Sequence, residues 1–373
     1  MKKSTLAMAV AVALAGFSTA ALADTTLYGS ARVSVDYEEF NSSYVRLPNG
    51  NLSRTIIGSD AWDVVNNSSR LGVRGEEDLG GGLSAIYQYE FGVDVTEGDN
   101  FNSNRPKWVG LKGASWGSIT AGTQWTPYYN VIGVGDVFNS SKVFDNDVYL
   151  GNTFGLRMDN SLIYTTPNWS GFSAQAMLVM NGSCGVSDPQ TTTELCRTVG
   201  SNRLQGNLSD AVDMYNISAS YKNGPFFAGA TYMALDGPDF GGNILTAPTY
   251  DGDQWGLAFG YNAGPFAVSL AYENGDVNVL NFGKTENIYL VGQYTFGNNI
   301  IRGSYGFSSP DDGQFILANG NILQQSEVNN WALGYQYNFS KRTRFWVEYL
   351  GQDVDSDLVG DKQTVSIGTR HDF

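Results

Sequence analysis

A period of two, sustained over almost the whole length, is what most constrains this chain. In WALGYQYNF (331–339), Trp331, Leu333, Tyr335, Tyr337 and Phe339 share one face, and Ala332, Gly334, Gln336 and Asn338 share the other. QWGLAFGY (254–261) sets Trp255, Leu257, Phe259 and Tyr261 against Gln254, Gly256, Ala258 and Gly260. ARVSVDY (31–37) sets Val33, Val35 and Tyr37 against Arg32, Ser34 and Asp36. Successive side chains of a strand point to opposite faces, so these segments are strands with two unlike faces. With 45 Gly, 13% aromatic residues and only 10 Pro, the composition suits many strands broken by turns. A length of 373 residues fits one large all-β barrel as a single unit.

The first residues read differently. Lys2 and Lys3 precede an apolar stretch from Leu6 to Phe17, and Ala21-Leu22-Ala23 is a small-x-small cleavage site. This is the pattern of a secretory signal peptide over 1–23, removed before Asp24, which leaves one domain over 24–373. Its loss takes two lysines and moves the formal charge from −15 to −17. Such an acidic balance disfavours nucleic acid as a partner. No later stretch approaches the eighteen apolar residues of a transmembrane helix. An exported chain of this kind is soluble or a closed β-barrel, because only helices and barrels satisfy their backbone in lipid. Cys184 and Cys196 lie in a Gly/Ser/Thr-rich stretch. In an exported chain they read as a disulfide, with two free buried thiols as the alternative. Zinc would need more soft ligands, and the single histidine is His371.

The connections alternate too. Short ones fall at 80–82, 114–117, 167–171, 222–225, 262–265, 297–299 and 340–343. Long ones run about 38–68, 95–104, 126–159, 181–212, 236–252, 275–285, 309–327 and 354–362. Fifteen connections imply about sixteen strands in antiparallel hairpins, an even number with short turns at one end and long loops at the other. A soluble sandwich also alternates its faces. Here, however, Phe226, Tyr261, Phe266, Phe296, Phe339 and Phe345 crowd the strand ends beside the short turns, as an interfacial girdle does. The polar faces are rich in Gly, Ser and Gln, as a wet lumen requires. The expected fold is therefore all-β, a transmembrane antiparallel barrel. The segment VSIGTRHDF (365–373) then has a role: a closed barrel pairs its last strand with its first, and Phe373 anchors in the girdle.

Several stretches are similar to a known family. They are LYGSARV (27–33), SSRLGVRGEEDLGGGLSAIYQYE (68–90), WVGLKGASWGSITAGTQWTPYYN (108–130), DNSLIYTTPNWSGFSAQA (159–176) and IGTRHDF (367–373). Spread over the whole mature chain, they resemble the general diffusion porins of Gram-negative outer membranes. The resemblance implies a sixteen-stranded barrel, a homotrimer, and a third long loop that folds into the lumen. It also implies a constriction with a ladder of basic side chains on one wall and loop acids opposite. Arg70 in SRLGVRG fits the second-strand position of that ladder. Arg105, five residues before Gly110, fits the fourth, and Arg157, seven before Tyr164, fits the next. The first-strand position is Ser30, a departure from the lysine of some members, and Arg32 on the same face substitutes. Arg74 shares the parity of Arg70. Independently of the resemblance, Arg32, Arg70 and Arg74 fall on polar faces, and an arginine facing mid-bilayer lipid costs roughly 2–4 kcal/mol. The third loop carries Asp136, Asp145 and Asp147 against Lys142, without the family's Pro-Glu-Phe-Gly-Gly-Asp signature. Asp136, in an apolar stretch, is favoured as the acid of the constriction.

Other signals carry less. GVGDVF (133–138) does not follow a strand into a helix, so it is no phosphate loop. Asp145-Asn146-Asp147 lacks the spacing of a calcium loop. Outer-membrane lipases need a lipid-facing Ser beside a His base; the single His is His371, at the barrel rim, and no nucleophile motif accompanies it. No enzyme, cofactor or metal is expected. The expected function is a water-filled channel for passive diffusion of small hydrophilic solutes and ions across the outer membrane. Its acidic excess suggests mild cation preference. The alternative is a substrate-specific channel, for a sugar for example, with Tyr28, Tyr289 and Trp346 facing inward. A structural or adhesive barrel is the third reading. Expected partners are outer-membrane lipid and lipopolysaccharide, two further copies of the chain, and the outer-membrane assembly machinery through the C-terminal strand.

Overall fold

Alternation fixes the sheet, and the sheet closes on itself. The computed structural model describes residues 24–40, 43–46, 52–55, 60–97, 101, 105–143, 157–180, 212–235, 252–275, 285–310, 314–316, 322–324, 327–355 and 361–373. The segment 1–23, Cys184 and Cys196, and Asp145 and Asp147 lie outside these residues. Sixteen strands build the barrel. The first eight are β1 (Asp24–Phe40), β2 (Ala61–Asn66 and Arg70–Gly80), β3 (Leu83–Gly92), β4 (Lys107–Gly113), β5 (Gly117–Trp125), β6 (Arg157–Thr165), β7 (Phe172–Val179) and β8 (Met214–Asn223). The others are β9 (Phe226–Leu235), β10 (Gly252–Ala263), β11 (Phe266–Gly275), β12 (Thr285–Phe296), β13 (Asn299–Pro310), β14 (Val328–Asn338), β15 (Thr343–Val354) and β16 (Lys362–Asp372). Each pairs antiparallel with its neighbours in sequence, and β1 pairs with β16, so the described barrel has no free edge. Two short hairpins, Ser43–Arg46 with Leu52–Thr55 and Gln314–Ile316 with Ile322–Gln324, stand apart from the barrel sheet.

Closure rests on the last residue as well as the ladder. The Gly29 N–H donates to the Phe373 carbonyl at 3.0 Å, and the Phe373 N–H donates back to Gly29 at 3.1 Å. The Phe373 ring lies over Gly29, where a Cβ would come within 2.2 Å of it. A glycine on the outer face of β1 thus makes the seat for the terminal aromatic ring.

The strands are turned inside out relative to a soluble protein. Leu333 is 59% exposed on the outer face of β14, while Gln336 on the inner face is 2% exposed. Outward-facing Leu257, Leu270, Leu290, Ile301, Val347 and Ile367 continue this band around the barrel. So much continuous exposed apolar surface exceeds what a soluble monomer shows. Paired rings flank the band. Near the short turns Phe226 meets Tyr261 at 5.2 Å and Phe266 meets Tyr294 at 4.9 Å. At the other end Trp255 meets Tyr272 at 5.3 Å and Trp331 meets Tyr349 at 4.9 Å. These are the two interfacial girdles of a membrane barrel. No helix among the described residues is long and apolar enough to cross a bilayer.

The first long connection is shorter than the sequence suggests. β1 continues to Phe40 and its partner resumes at Ala61, where 38–68 reads as a loop. The cause is a break at 67–69. The β1 register shifts by one residue between Val33–Asn66 and Ser30–Arg70, which switches the faces. Asp63 above the break and Arg70 below it therefore both point inward, at opposite parity. Ser68 takes φ 64°, and side chains replace the missing ladder bonds. The Arg32 N–H donates to Ser69 Oγ at 2.8 Å, and Asn67 Nδ2 donates to Ser34 Oγ at 2.6 Å.

Candidate functional site

The lumen is narrowed by the chain that follows β5. Pro127–Ile132 forms a six-residue helix, α1, begun by a local cap: Thr126 Oγ1 accepts the Tyr129 N–H at 3.1 Å, and Pro127 occupies the first turn. Tyr128, Val131 and Ile132 are buried against the inner wall. The Tyr128 N–H donates to Asn216 Oδ1 of β8 at 2.6 Å, and its hydroxyl donates to Glu273 Oε1 of β11 at 2.7 Å. Inner-face glycines make the room. A Cβ on Gly229 would lie 2.8 Å from Val131 Cγ1, and one on Gly256 would lie 2.5 Å from Ile132 Cδ1.

Beyond the turn Gly133–Gly135 the segment follows the wall to β1. The Glu348 carboxylate on β15 accepts the N–H groups of Asn139 at 2.9 and 3.0 Å and of Ser140 at 2.8 Å. The Ser141 N–H donates to Asn67 Oδ1 at 2.7 Å. Lys142 Nζ reaches Glu38 Oε2 of β1 at 2.7 Å and Asp63 at 3.5 Å. Burial draws the Lys142 ammonium down, but Glu38 and Asp63 outweigh it and leave its pKa raised. Residues 126–143 thus run inside the barrel, tied at β8, β11, β15, β2 and β1.

Four arginines cluster on the wall beside this segment, where the charges of Arg32 and Arg70 reach Asp136 and that of Arg157 reaches Tyr129. Arg32 lies on β1, Arg70 on β2, Arg105 just before β4, and Arg157 opens β6. Glu90 of β3 sits among them, 3.9 Å from Arg70 Nη1 and 3.6 Å from Arg105 Nε. Arg105 Nη2 also donates to the Ser68 carbonyl at 2.9 Å. Burial, then Arg70 and Arg157, lower the Arg105 pKa to about 10 against the pull of Glu90, which leaves it charged at neutral pH. The Arg157 guanidinium lies 4.3 Å over the Trp125 ring, and that ring stacks on Tyr129 at 4.5 Å. The Tyr129 hydroxyl donates to Asp136 Oδ2. Asp136 opens onto the lumen although it lies deep inside the barrel. Its surroundings push the carboxyl pKa up, while the Tyr129 bond and the charges of Arg32 and Arg70 draw it down. The net direction is upward, and lumen water at its exposed face limits the rise.

Of the residues expected from sequence, Arg32, Arg70, Arg105, Arg157 and Asp136 therefore meet around one region of the lumen. Arg74 does not join them. It lies four residues further along β2 with its guanidinium 5.2 Å over the Tyr28 ring, exposed to the pore. Tyr28, Tyr289 and Trp346 all face inward, but Tyr289 is 6% and Trp346 0% exposed, so neither ring is offered to a solute. Glu90, Glu348, Glu273 and Tyr129 do not stand out in the sequence. A signal exists for each: the three acids sit on the polar parity of their strands, and Tyr129 follows the capping Thr126. Among the described residues no group of three or more His, Cys, Asp or Glu could hold a metal ion.

Comparisons with known proteins point one way. The family described as "Gram-negative porin" matches residues 7–357. An outer membrane porin protein of Bordetella pertussis is 29% identical over the full length of both chains. The major outer membrane protein P.IB of Neisseria meningitidis is 28% identical, over 92% of this chain and 91% of that one. Among solved structures, an anion-selective porin from Comamonas acidovorans aligns with a TM-score of 0.65 at 20% identity, over 94% of this chain and 100% of that one. OmpT of Vibrio cholerae in its trimer form aligns with a TM-score of 0.63 at 15% identity, over 94% and 99%. At these identities the two structures speak to the fold.

Proposed function

The chain belongs to the Gram-negative porin family, and from that premise we propose that its lumen is a sieve, narrowed by residues 126–143 and crossed by a field between arginines and Asp136. The protein is an outer-membrane channel for passive diffusion. Small hydrophilic solutes and ions cross it down their gradients. The single observation that carries this reading is the placement of α1 and the following turn inside a closed, polar-lined barrel, facing Arg32, Arg70, Arg105 and Arg157. Hydrated charges on a narrow wall act on a passing solute over about 10 Å or less, the range that salt leaves unscreened.

The sign of ion preference has two supports that oppose each other. The acidic excess of the whole chain favours cations in the vestibules. The arginines favour anions at the narrow region. We give the wall more weight, because its charges lie nearest the permeating ion and pore-lining charges set selectivity. Assembly as a homotrimer fits the membrane band and the trimer form of the Vibrio neighbour. Phe373, seated on Gly29, suits recognition of the last strand by the outer-membrane assembly machinery. Export by cleavage of 1–23 and a Cys184–Cys196 disulfide complete the proposal.

Liposome swelling tests the sieve. With the mature chain reconstituted, swelling rates in uncharged sugars should fall smoothly with sugar size. A rate that saturates for one sugar alone points instead to a substrate-specific channel.

A further inference from the structure

The arginine wall does not end at Arg32. β1, β16 and β15 are neighbours, and the register places Arg32 opposite Arg370 and Arg370 opposite Arg344. All three share the inward parity of their strands. At about 4.8 Å between strands, they form a rung of three guanidiniums roughly 10 Å wide. Like charges directly opposite each other destabilise a sheet, so such a rung calls for counter-charge. It has one acid. Asp372 accepts from Arg344 Nη2 at 2.6 Å and from Arg370 Nε at 2.7 Å, one carboxylate oxygen to each. Arg32 Nε donates to the neutral Ser30 Oγ at 2.9 Å; the charges of Arg70, Arg370 and Arg105 bear on Arg32, and that of Asp372 offsets them in part. All three guanidiniums are partly open to the lumen.

The rung also has a direction. Arg344 is the second residue of β15, next to the short turn that carries Lys341 and Arg342, both exposed. Arg32, at its other end, faces the constriction. The rung is therefore a path of positive charge from the narrow region to the mouth on the short-turn side.

We propose that Arg32, Arg370 and Arg344 form a holding site for small oxyanions, phosphate or the carboxylate of a solute, between the constriction and that mouth. Guanidinium forks match two oxygens at once, and a phosphate has enough oxygens to bridge all three. Asp372 already demonstrates the grip with a carboxylate, and it competes with an incoming anion for Arg344 and Arg370. The site deepens the channel reading and rests on the lumen being open to solutes. Its function is to raise the local concentration of anions on one side of the sieve without closing the pore.

Inorganic phosphate is the probe. Single-channel current of the mature chain at constant KCl should fall saturably as phosphate is added. Phosphorus NMR of the folded protein in detergent should show saturable broadening of the phosphate line, and this needs no current. The double variant Arg344→Gln with Arg370→Gln should raise the half-saturating phosphate concentration by about tenfold or more, the scale of one lost charged hydrogen bond. Asp372→Asn should lower it, and so tests the site even where the double variant does not fold. Broadening that grows linearly with phosphate, or that is the same in wild type and double variant, overturns the site. So does an Asp372→Asn variant that binds phosphate more weakly. Current without saturable broadening sinks the site and leaves the channel, whereas broadening without current sinks the channel and leaves the site.

Discussion

Single charges at the constriction should be separable by ion preference. A unit charge about 8 Å from a hydrated ion is worth roughly 0.5 kcal/mol in water, about twofold in local concentration. Replacing Arg70 and Arg105 by Gln should shift the zero-current potential in a KCl gradient towards potassium. Asp136→Asn should shift it towards chloride. Because burial inside the barrel raises the Asp136 carboxyl despite Tyr129, Arg32 and Arg70, acidification should move wild type in the same direction as Asp136→Asn. The shift should be smaller in the variant, which has no Asp136 charge left to lose. An equal shift in both proteins would assign the effect to other acids. Parity and motif make Arg70 legible in the sequence. Arg74 has the same parity and a different place, because four residues along a strand is about 13 Å. Glu90 escapes a search for acids on the loop, because its strand segment YQYEFG hides one carboxylate between outward Tyr89 and Phe91.

At the scale of elements, the third connection is held by a few anchors, and each can be cut. Glu348→Ala removes the acceptor of the Asn139 and Ser140 N–H groups, charged bonds worth about 1.5–3 kcal/mol each. The variant barrel should fold and conduct with larger current noise and a higher mean unit conductance. Quiet channels of unchanged conductance would show that the anchor is dispensable. Gly256→Leu should displace Ile132, since even a Cβ there lies 2.5 Å from it, and should change conductance in the same way. That this loop enters the lumen is legible only through family resemblance. Its polar and apolar residues carry no period. Its anchors are remote in sequence: Asn216 and Glu273 lie 88 and 145 residues from Tyr128, and Glu348 lies 209 from Asn139. The sixteen strands are legible, apart from Ala61–Asn66, because the register shift at 67–69 breaks the alternation that reveals a strand.

For the whole molecule, closure and conduction are the properties at stake. Gly29→Val puts a branched side chain under the Phe373 ring, an overpacking of about 1–3 kcal/mol. Thermal unfolding of the detergent-folded barrel should move several degrees lower, and Phe373→Ala combined with it should recover part of the loss. A combined variant as unstable as Gly29→Val would mean that the ring is not what the new side chain strikes. A water-filled channel narrowed by residues 126–143 is open to a direct test, single-channel recording of the mature chain in a planar bilayer with a KCl gradient. The recording should show stepwise, ohmic currents whose size scales with salt concentration, with a zero-current potential on the chloride side. No current from a demonstrably folded barrel, or small currents abolished by a single sugar, would contradict such a channel.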